Sequence, residues 1–270
     1  MRPLIACTLL ALALALASPA LRAGPPAASH VDTVLAAQAL RVCIWPDYYG
    51  ITYRNPKTQQ LTGIDIDLAR ALAADLGAQV KVQFVDSSFA RLIDDVAAER
   101  CDIAMFAIGI TASRAAKLSF SRPYLRSDIY AIATKSNHRV REWQDIDQPG
   151  VVVAVHKGTY HEQVMRDRLK RATLLVADSP FAREQEVESG RADVFMTDFP
   201  YSQRMLVNAD WARLLAPPTP YHLTSYAYAL APGDARWHAR VEAFVAAIKR
   251  DGRLLAAAQR HRLESIVSLD

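Results

Sequence analysis

The chain has 270 residues, of which 51% are hydrophobic and 22% are charged, and its formal net charge is +4. That length allows two modest domains or one large one, and the hydrophobic fraction supports a packed core. Lysine and arginine are scattered among acidic residues without a long basic run, so nucleic acid is not an expected partner.

The first 23 residues have the pattern of a secretory signal peptide. Arg2 gives a short basic start, residues 4–17 are apolar, and an Ala-Leu-Arg-Ala sequence ends at Ala23. An uncleaved membrane anchor is the alternative, but the apolar core is shorter than the roughly 20 residues that a span requires. We therefore expect cleavage after Ala23 and an exported, periplasmic protein.

Two cysteines, Cys43 and Cys101, follow this segment, each beside a predicted strand. Export permits a disulfide between them, and two buried thiols are the alternative; their spacing does not decide between the two. The sequence has no cysteine or histidine spacing typical of a metal or redox site, so we expect neither a metal nor a cofactor.

Strands and helices alternate along the first half of the remaining chain. Strands are predicted at residues 40–45, around 80–84 and at 103–108. A helix is indicated by apolar residues recurring every fourth position before a glycine stop, namely Ile64, Leu68, Leu72, Leu76 and Gly77. A second helix is expected from a cap at Ser87 or Ser88 and an apolar face of Phe89, Leu92, Ile93 and Val96. This order predicts a βαβαβ unit.

The alternation then starts again. Strands are predicted at 151–156, 174–176, 193–197 and 226–230, and helices at 160–171, 181–189, 200–207 and along a late segment before Asp251. Prolines at 217, 218 and 220 mark a connection. The whole pattern predicts an α/β protein with parallel sheets and helical crossovers.

Two strand ends carry charged side chains suited to a small zwitterion. Arg114 lies in the first turn of a helix after the strand that ends near Gly109, and a helix N-terminus with a guanidinium can bind a carboxylate. Asp198 follows the strand 193–197 and can accept an ammonium group, although its alternative role is to cap the next helix. Together they predict an anion site and a cation site at the ends of two strands.

These segments, in this order, resemble the family-three periplasmic solute-binding proteins, which are polar amino acid receptors of importers powered by ATP hydrolysis. The resemblance covers about residues 38–262. Its matching pieces are residues 40–42 with Tyr48, 63–68, 102–105, 110–114, 120–124, 155–159 and 190–198. Many short matches in the right order carry the resemblance, and any one of them alone would be weak.

The resemblance implies a periplasmic-binding-protein-like fold of two α/β lobes, joined by a two-segment hinge, with a ligand cleft between them. Lobe 1 is expected to comprise residues 32–127 and 224–270, and lobe 2 residues 128–223, with the chain crossing near 126–129 and 220–226. We further expect a monomer that binds an amino-acid-like ligand and delivers it to the membrane permease of an ABC transporter.

The resemblance also implies roles for individual residues. Arg114 matches the arginine that pairs with the ligand α-carboxylate, and Asp198 matches the acid that receives the α-ammonium group. Tyr48 and Phe89 match positions that clamp the ligand side chain, with ordinary core packing as the alternative.

Four further positions complete the predicted site. Gly109 and Thr159 are expected to offer backbone N–H groups, and Thr159 also its hydroxyl, with turn and cap chemistry as the alternative. Gly109 stands where relatives often have serine or threonine. Trp45 and Asp47 occupy the first loop, and Trp45 replaces the acid of basic-amino-acid receptors, which weakens a lysine or arginine ligand unless Asp47 reaches the site. The class of ligand side chain therefore stays open.

Two other functions remain as alternatives. The chain also resembles the periplasmic cyclohexadienyl dehydratases in residues 146–150 and 169–172. Those enzymes remove a hydroxyl from a cyclohexadiene and need a general acid; the position of their catalytic glutamate aligns with Tyr226, so His156 or Asp47 would have to substitute. The second alternative is a periplasmic receptor that docks on a sensor or a dehydrogenase partner.

Overall fold

A computed structural model describes residues 29–270, so the predicted signal peptide lies outside the described residues. The helices are α1 (His30–Ala37), α2 (Ile64–Leu76), α3 (Leu92–Ala97), α4 (Ala112–Ala115), α5 (Tyr160–Arg168), α6 (Pro180–Glu188), α7 (Phe199–Asn208), α8 (Ala235–Arg250) and α9 (Arg253–Arg260), with 3₁₀ turns at Trp143–Asp145 and Glu264–Ile266. The strands are β1 (Ala39–Ile44), β2 (Asp47–Tyr48), β3 (Thr52–Arg54), β4 (Leu61–Thr62), β5 (Lys81–Asp86), β6 (Ile103–Gly109), β7 (Ser119–Phe120), β8 (Leu125–Ser127), β9 (Tyr130–Thr134), β10 (Val152–His156), β11 (Thr173–Ala177), β12 (Val194–Thr197), β13 (Ala212–Leu215) and β14 (Thr224–Leu230).

Two larger sheets organise the chain into two α/β lobes. The sheet of lobe 1 has the order β5-β1-β6-β14-β7, with β8 also paired to β14, and the sheet of lobe 2 has the order β11-β10-β12-β9-β13. The chain passes from lobe 1 to lobe 2 between β8 and β9 and returns between β13 and β14. The carboxyl ends of strands from both sheets therefore face one cleft, where open α/β sheets bind ligands.

The prediction of parallel sheets is correct only for part of each sheet. β1 runs parallel to β5 and β6, and β10 runs parallel to β11 and β12. β14 is antiparallel to β6, and β9 is antiparallel to β12. Each of these two strands is the first that the chain forms after crossing from the other lobe. It therefore enters its sheet from the cleft edge and runs antiparallel to the strands that end at that edge.

The predicted helix with a four-residue apolar repeat is α2. Ile64, Leu68 and Leu72 are buried, and the helix ends at Leu76 with Gly77 as its C-cap. α2 packs beside the sheet of lobe 1, where its buried stripe removes apolar surface from water.

Two helices differ from the predicted bounds. α3 begins at Leu92, because the hydroxyl of Ser88 accepts the Arg91 N–H in a turn that precedes the helix; Phe89 lies in this turn and not in the helix. α5 ends at Arg168 and not at 171. The Leu169 N–H still donates to the Met165 carbonyl, but the peptide N–H groups of residues 170–172 donate to the carboxylate of Asp147, which holds this segment outside the helix.

The two cysteines form a disulfide. Cys43 in β1 and Cys101, just before β6, are both buried and their Cα atoms are 5.5 Å apart. The bond joins β1 to the segment that leads into its parallel neighbour β6. Within residues 29–270, no helix combines the length and apolar character needed to cross a membrane.

Candidate functional site

Asp198 lies at the end of β12, where it begins α7. One carboxylate oxygen accepts the Tyr201 N–H at 3.2 Å, so the predicted capping role is present. The other oxygen accepts the hydroxyls of Tyr48 and of Tyr226, the latter at 2.8 Å. Both tyrosines belong to lobe 1, so Asp198 connects the two lobes. Burial raises the pKa of Asp198, while the two tyrosine hydroxyls act to lower it.

Arg114 lies on the opposite side of the cleft, in the short helix α4 that Thr111 caps. Its side chain is buried, and its two terminal nitrogens donate to the carbonyl of Gly109 at 2.8 Å and to that of Gly158 in lobe 2 at 3.1 Å. Burial lowers the pKa of Arg114 to about 10, so the guanidinium remains protonated at neutral pH. A charged group held by only two neutral carbonyls is suited to exchange one of them for an anion.

Three aromatic side chains of lobe 1 form one wall of the cleft. The ring centroids of Trp45 and Tyr48 are 5.2 Å apart, as are those of Trp45 and Phe89. Trp45 also faces the ring of His156 in lobe 2 at 5.4 Å. Phe89 reaches the cleft because it lies in the turn before α3, and the Arg114 guanidinium stands 5.5 Å from its ring centre.

The remaining predicted residues occupy different places. Thr159 lines the cavity, but its hydroxyl and N–H both donate to the His156 carbonyl, at 2.6 and 3.3 Å. Gly109 contributes its carbonyl to Arg114. A Cβ at Gly109 would lie 3.1 Å from side-chain atoms of Thr224 and Tyr160, so a larger residue would require these side chains to shift by a few tenths of an ångström. Asp47 is exposed and is not among the residues that line the cavity.

Five of the predicted residues, namely Trp45, Tyr48, Phe89, Thr159 and Asp198, line a small cavity between the lobes. Its volume is about 20 Å³, which is the space of about one water-sized sphere. The lining residues are Trp45, Tyr48, Phe89, Ala107, His156, Thr159, Tyr160, His161, Arg183, Thr197, Asp198 and Tyr201. A more open cavity of about 270 Å³ adjoins it and is bordered by Arg114, Phe89, Thr159 and Gly158. The lobes are therefore closed on one another, and an amino-acid-sized ligand requires them to separate first.

Seven of these twelve lining residues were not predicted as ligand contacts, and four of the seven lie on helices. Arg183, His161, Tyr160 and Tyr201 all come from helices of lobe 2. A signal for Arg183 existed, because it shares the buried stripe of α6 with Pro180 and Val187, and an arginine on an apolar stripe is unusual.

Comparison with known proteins gives the family. The model of the bacterial extracellular solute-binding proteins, family 3, matches residues 40–263. A cyclohexadienyl dehydratase from Pseudomonas aeruginosa is 37% identical over 171 residues, which cover 63% of each chain. An amino-acid-binding protein from Dichelobacter nodosus is 27% identical over 211 residues, which cover 77% of this chain and 81% of that protein.

A solved structure extends the similarity over most of the fold. It is that of an ancestral amino acid-binding protein, described as a precursor of cyclohexadienyl dehydratase; it is 30% identical, with a TM-score of 0.78, and the match covers 86% of this chain and 99% of that one. The match with the Pseudomonas dehydratase spans less than two thirds of that enzyme's length. By the extent of the family match, the chain belongs to the bacterial extracellular solute-binding proteins, family 3.

Proposed function

We propose that the chain is the periplasmic substrate-binding component of an ABC-type amino acid importer, which acts as a monomer. The observation that carries the proposal is the placement of Arg114 and Asp198 on opposite lobes, both buried at the same cleft. A zwitterionic amino acid has complementary charges at two neighbouring groups. Its carboxylate would pair with Arg114 and its ammonium group with Asp198.

The contacts of the closed form suggest how a ligand would close the lobes. The Arg114 guanidinium now donates to the Gly158 carbonyl, and two tyrosine hydroxyls donate to Asp198. These partners carry no charge, and each ligand group would replace one of them with a group of opposite charge, which adds Coulomb attraction to the hydrogen bond. The ligand thus favours closure by contacts that exist only when both lobes meet.

In this proposal residues 32–127 and 224–270 move as lobe 1 against residues 128–223. The chain between β8 and β9 and the chain between β13 and β14 would supply the two hinge segments. The closed surface is then the form that a permease recognises, as hinged receptors use closure to signal occupancy.

A dehydratase is the second candidate, favoured by the 37% identity to the Pseudomonas enzyme. Such a reaction needs a protonated acid beside the leaving hydroxyl. Glu162 borders the outer cavity, and although burial would raise its pKa, hydrogen bonds from the Gly158 N–H and from Arg166 outweigh burial and lower it. Glu162 is therefore held ionised and is a poor proton donor; Asp198, whose pKa burial raises, would be the better acid for a dehydratase.

A thermal-shift screen distinguishes the two candidates. The protein without its first 23 residues is unfolded and refolded to remove any bound ligand, and then mixed with each of the twenty amino acids or with prephenate. A raised melting temperature with an amino acid that is recovered unchanged supports the receptor, because ligand binding stabilises the folded state by mass action. A response to prephenate alone, with product formation, would replace the receptor by a dehydratase.

A further inference from the structure

Lobe 2 presents a cluster of nitrogen atoms to the inner cavity that the amino acid backbone would not use. Arg183 from α6, His156 from the end of β10 and His161 from α5 all line this cavity. Five of their nitrogens, Nε and Nη2 of Arg183, Nδ1 of His156, and both ring nitrogens of His161, are buried without a hydrogen-bond partner among residues 29–270. Buried polar atoms normally have partners, since each unpaired group costs about 1–3 kcal/mol.

Arg183 is the centre of this cluster. Its side chain is only 3% exposed and contacts the rings of Phe195 and Tyr201, whose centres lie 4.2 and 4.6 Å from the guanidinium carbon. One terminal nitrogen, Nη1, donates to the Met196 carbonyl at 3.1 Å. These contacts fix the plane of the guanidinium and leave one edge unpaired.

The unpaired edge has the geometry of a carboxylate receptor. Nε and Nη2 lie on the same side of an arginine and form a fork of two parallel N–H donors. Elsewhere in this chain Arg191 uses the same two nitrogens to bind both oxygens of Glu186, at 2.7 and 3.0 Å. Within residues 29–270, Arg183 has no such carboxylate partner.

The charges around the cleft also favour an anionic ligand. Burial lowers the pKa of His156 to about 4, with a further contribution from the nearby Arg183, so this imidazole is neutral at pH 7. Burial likewise lowers the pKa of His161. Glu162 and Arg166, which border the outer cavity, pair with each other at 2.7 Å, so Arg114 and Arg183 face one further negative charge, that of Asp198. A zwitterion leaves this excess positive charge uncompensated, whereas a ligand with net charge −1 neutralises it.

We infer that the ligand is an α-amino acid whose side chain ends in a second anionic group, bound by Nε and Nη2 of Arg183 beside His156 and His161. This inference rests on the proposed function, because it assigns the ligand backbone to Arg114 and Asp198. Trp45 and Tyr48 then cover the aliphatic part of the ligand side chain. Neutral His161 can supply one N–H donor to this group, since neither of its ring nitrogens has a partner among residues 29–270.

Titration calorimetry on the refolded protein tests the inference with matched ligand pairs. L-Glutamate and L-aspartate are compared with their neutral amides, L-glutamine and L-asparagine, and O-phospho-L-serine tests a phosphate in place of a carboxylate. We expect one anionic ligand to bind at least about 100-fold more tightly than its neutral counterpart, because charge-assisted bidentate hydrogen bonds would otherwise be lost. The anionic ligand that binds most tightly then identifies the anionic group at the end of the ligand side chain.

Variants then assign the effect to Arg183. Arg183→Met keeps the length and apolar contacts of the side chain and should reduce the preference for the anionic ligand to less than about fivefold, while neutral amino acids still bind. Arg204→Met is the control, since Arg204 also lies over the Tyr201 ring but pairs with Glu184 outside the cavity; it should keep the preference. If Arg183→Met does not fold, Arg183→Lys, which keeps the charge without the fork, should retain only part of the preference.

The outcomes separate this inference from the proposed function. Neutral amino acids that bind as tightly as their anionic counterparts would overturn the inference and leave the receptor function in place. A preference for the anion that persists unchanged in both Arg183 variants would also overturn it. If no amino acid binds at all, both proposals fail.

Discussion

Gly158 of lobe 2 lies directly against Ala90 of lobe 1. A Cβ built on Gly158 would stand 2.6 Å from the Cα and from the N of Ala90, closer than such atoms approach in proteins. Because both contacts are with backbone atoms, no rotation of a side chain relieves them. The closed cleft therefore requires a glycine at this position.

Gly158→Ala should accordingly prevent full closure. The residue also has a φ of +77°, so alanine adds backbone strain of about 1–2 kcal/mol. Gly190→Ala is a matched control, because Gly190 has a φ of +76° but no atom within 4 Å of a built Cβ. We expect both variants to lose similar stability, and only Gly158→Ala to lose ligand affinity, by about tenfold or more. Equal affinities of the two variants in titration calorimetry would contradict this role of Gly158.

The disulfide should contribute substantially to the stability of lobe 1. Cys43 and Cys101 are separated by 58 residues, and closing a loop of this size in the unfolded chain is worth about 4 kcal/mol in the chain-entropy description. We expect dithiothreitol to lower the denaturant midpoint of the wild-type protein. A Cys43→Ala/Cys101→Ala variant, unfolded in parallel, should not respond to the reductant. An unchanged wild-type midpoint under reducing conditions would show that the bond contributes little.

Asp65 should make stability depend on pH. It is fully buried in α2, and its carboxylate accepts the hydroxyl of Tyr124 at 2.5 Å, that of Tyr228 at 3.3 Å and the N–H of Ala107 at 2.9 Å. Burial raises the pKa of Asp65 to about 7, even though these hydrogen bonds lower it. In the unfolded chain the group titrates near its ordinary pKa of about 4.

Between these two pKa values the unfolded state has released a proton that the folded state retains. The contribution of Asp65 to the free energy of unfolding is thus fully present below about pH 4. It falls by a few kcal/mol in total as the pH rises to about 7. Asp65→Asn removes this titration. Urea unfolding at several pH values should show the wild type losing stability relative to Asp65→Asn between pH 4 and 7, and no further above pH 7. Parallel profiles for the two proteins would exclude a raised pKa at Asp65.

The regular elements of the α/β lobes could be predicted from sequence because their apolar periods are long and end in clear stops. α2 is the best example, with four apolar residues in register and Gly77 after them. The small sheet of β2, β3 and β4 could not be predicted, since strands of two or three residues contain too few positions to show a period. That sheet places Tyr48 in the cleft. The sequence therefore identified Tyr48 as a site residue but did not predict the strand that holds it.

The candidate site was likewise only partly predictable from the sequence. Arg114 and Asp198 could be singled out because each follows an apolar strand at the start of a helix, a local pattern. The hydrogen bonds that Tyr48 and Tyr226 donate to Asp198 join residues 150 and 28 positions apart in sequence and depend on how the lobes meet. The same holds for the unpaired nitrogens of Arg183, which only the packing of α6 against Phe195 and Tyr201 reveals.

The most direct test of the central claim, that Asp198 receives the ligand ammonium group, is titration calorimetry of Asp198→Asn with an amino acid and with its des-amino carboxylate. Asparagine keeps the size and removes the charge; its one oxygen can still accept the Tyr201 N–H, and its NH2 group then donates to the tyrosine hydroxyls, which can reorient to accept. The account predicts that the variant binds the amino acid about 10–100-fold more weakly than the wild type and the des-amino compound equally well. An amino acid affinity that the substitution leaves unchanged, or an equal loss for both ligands, would contradict it.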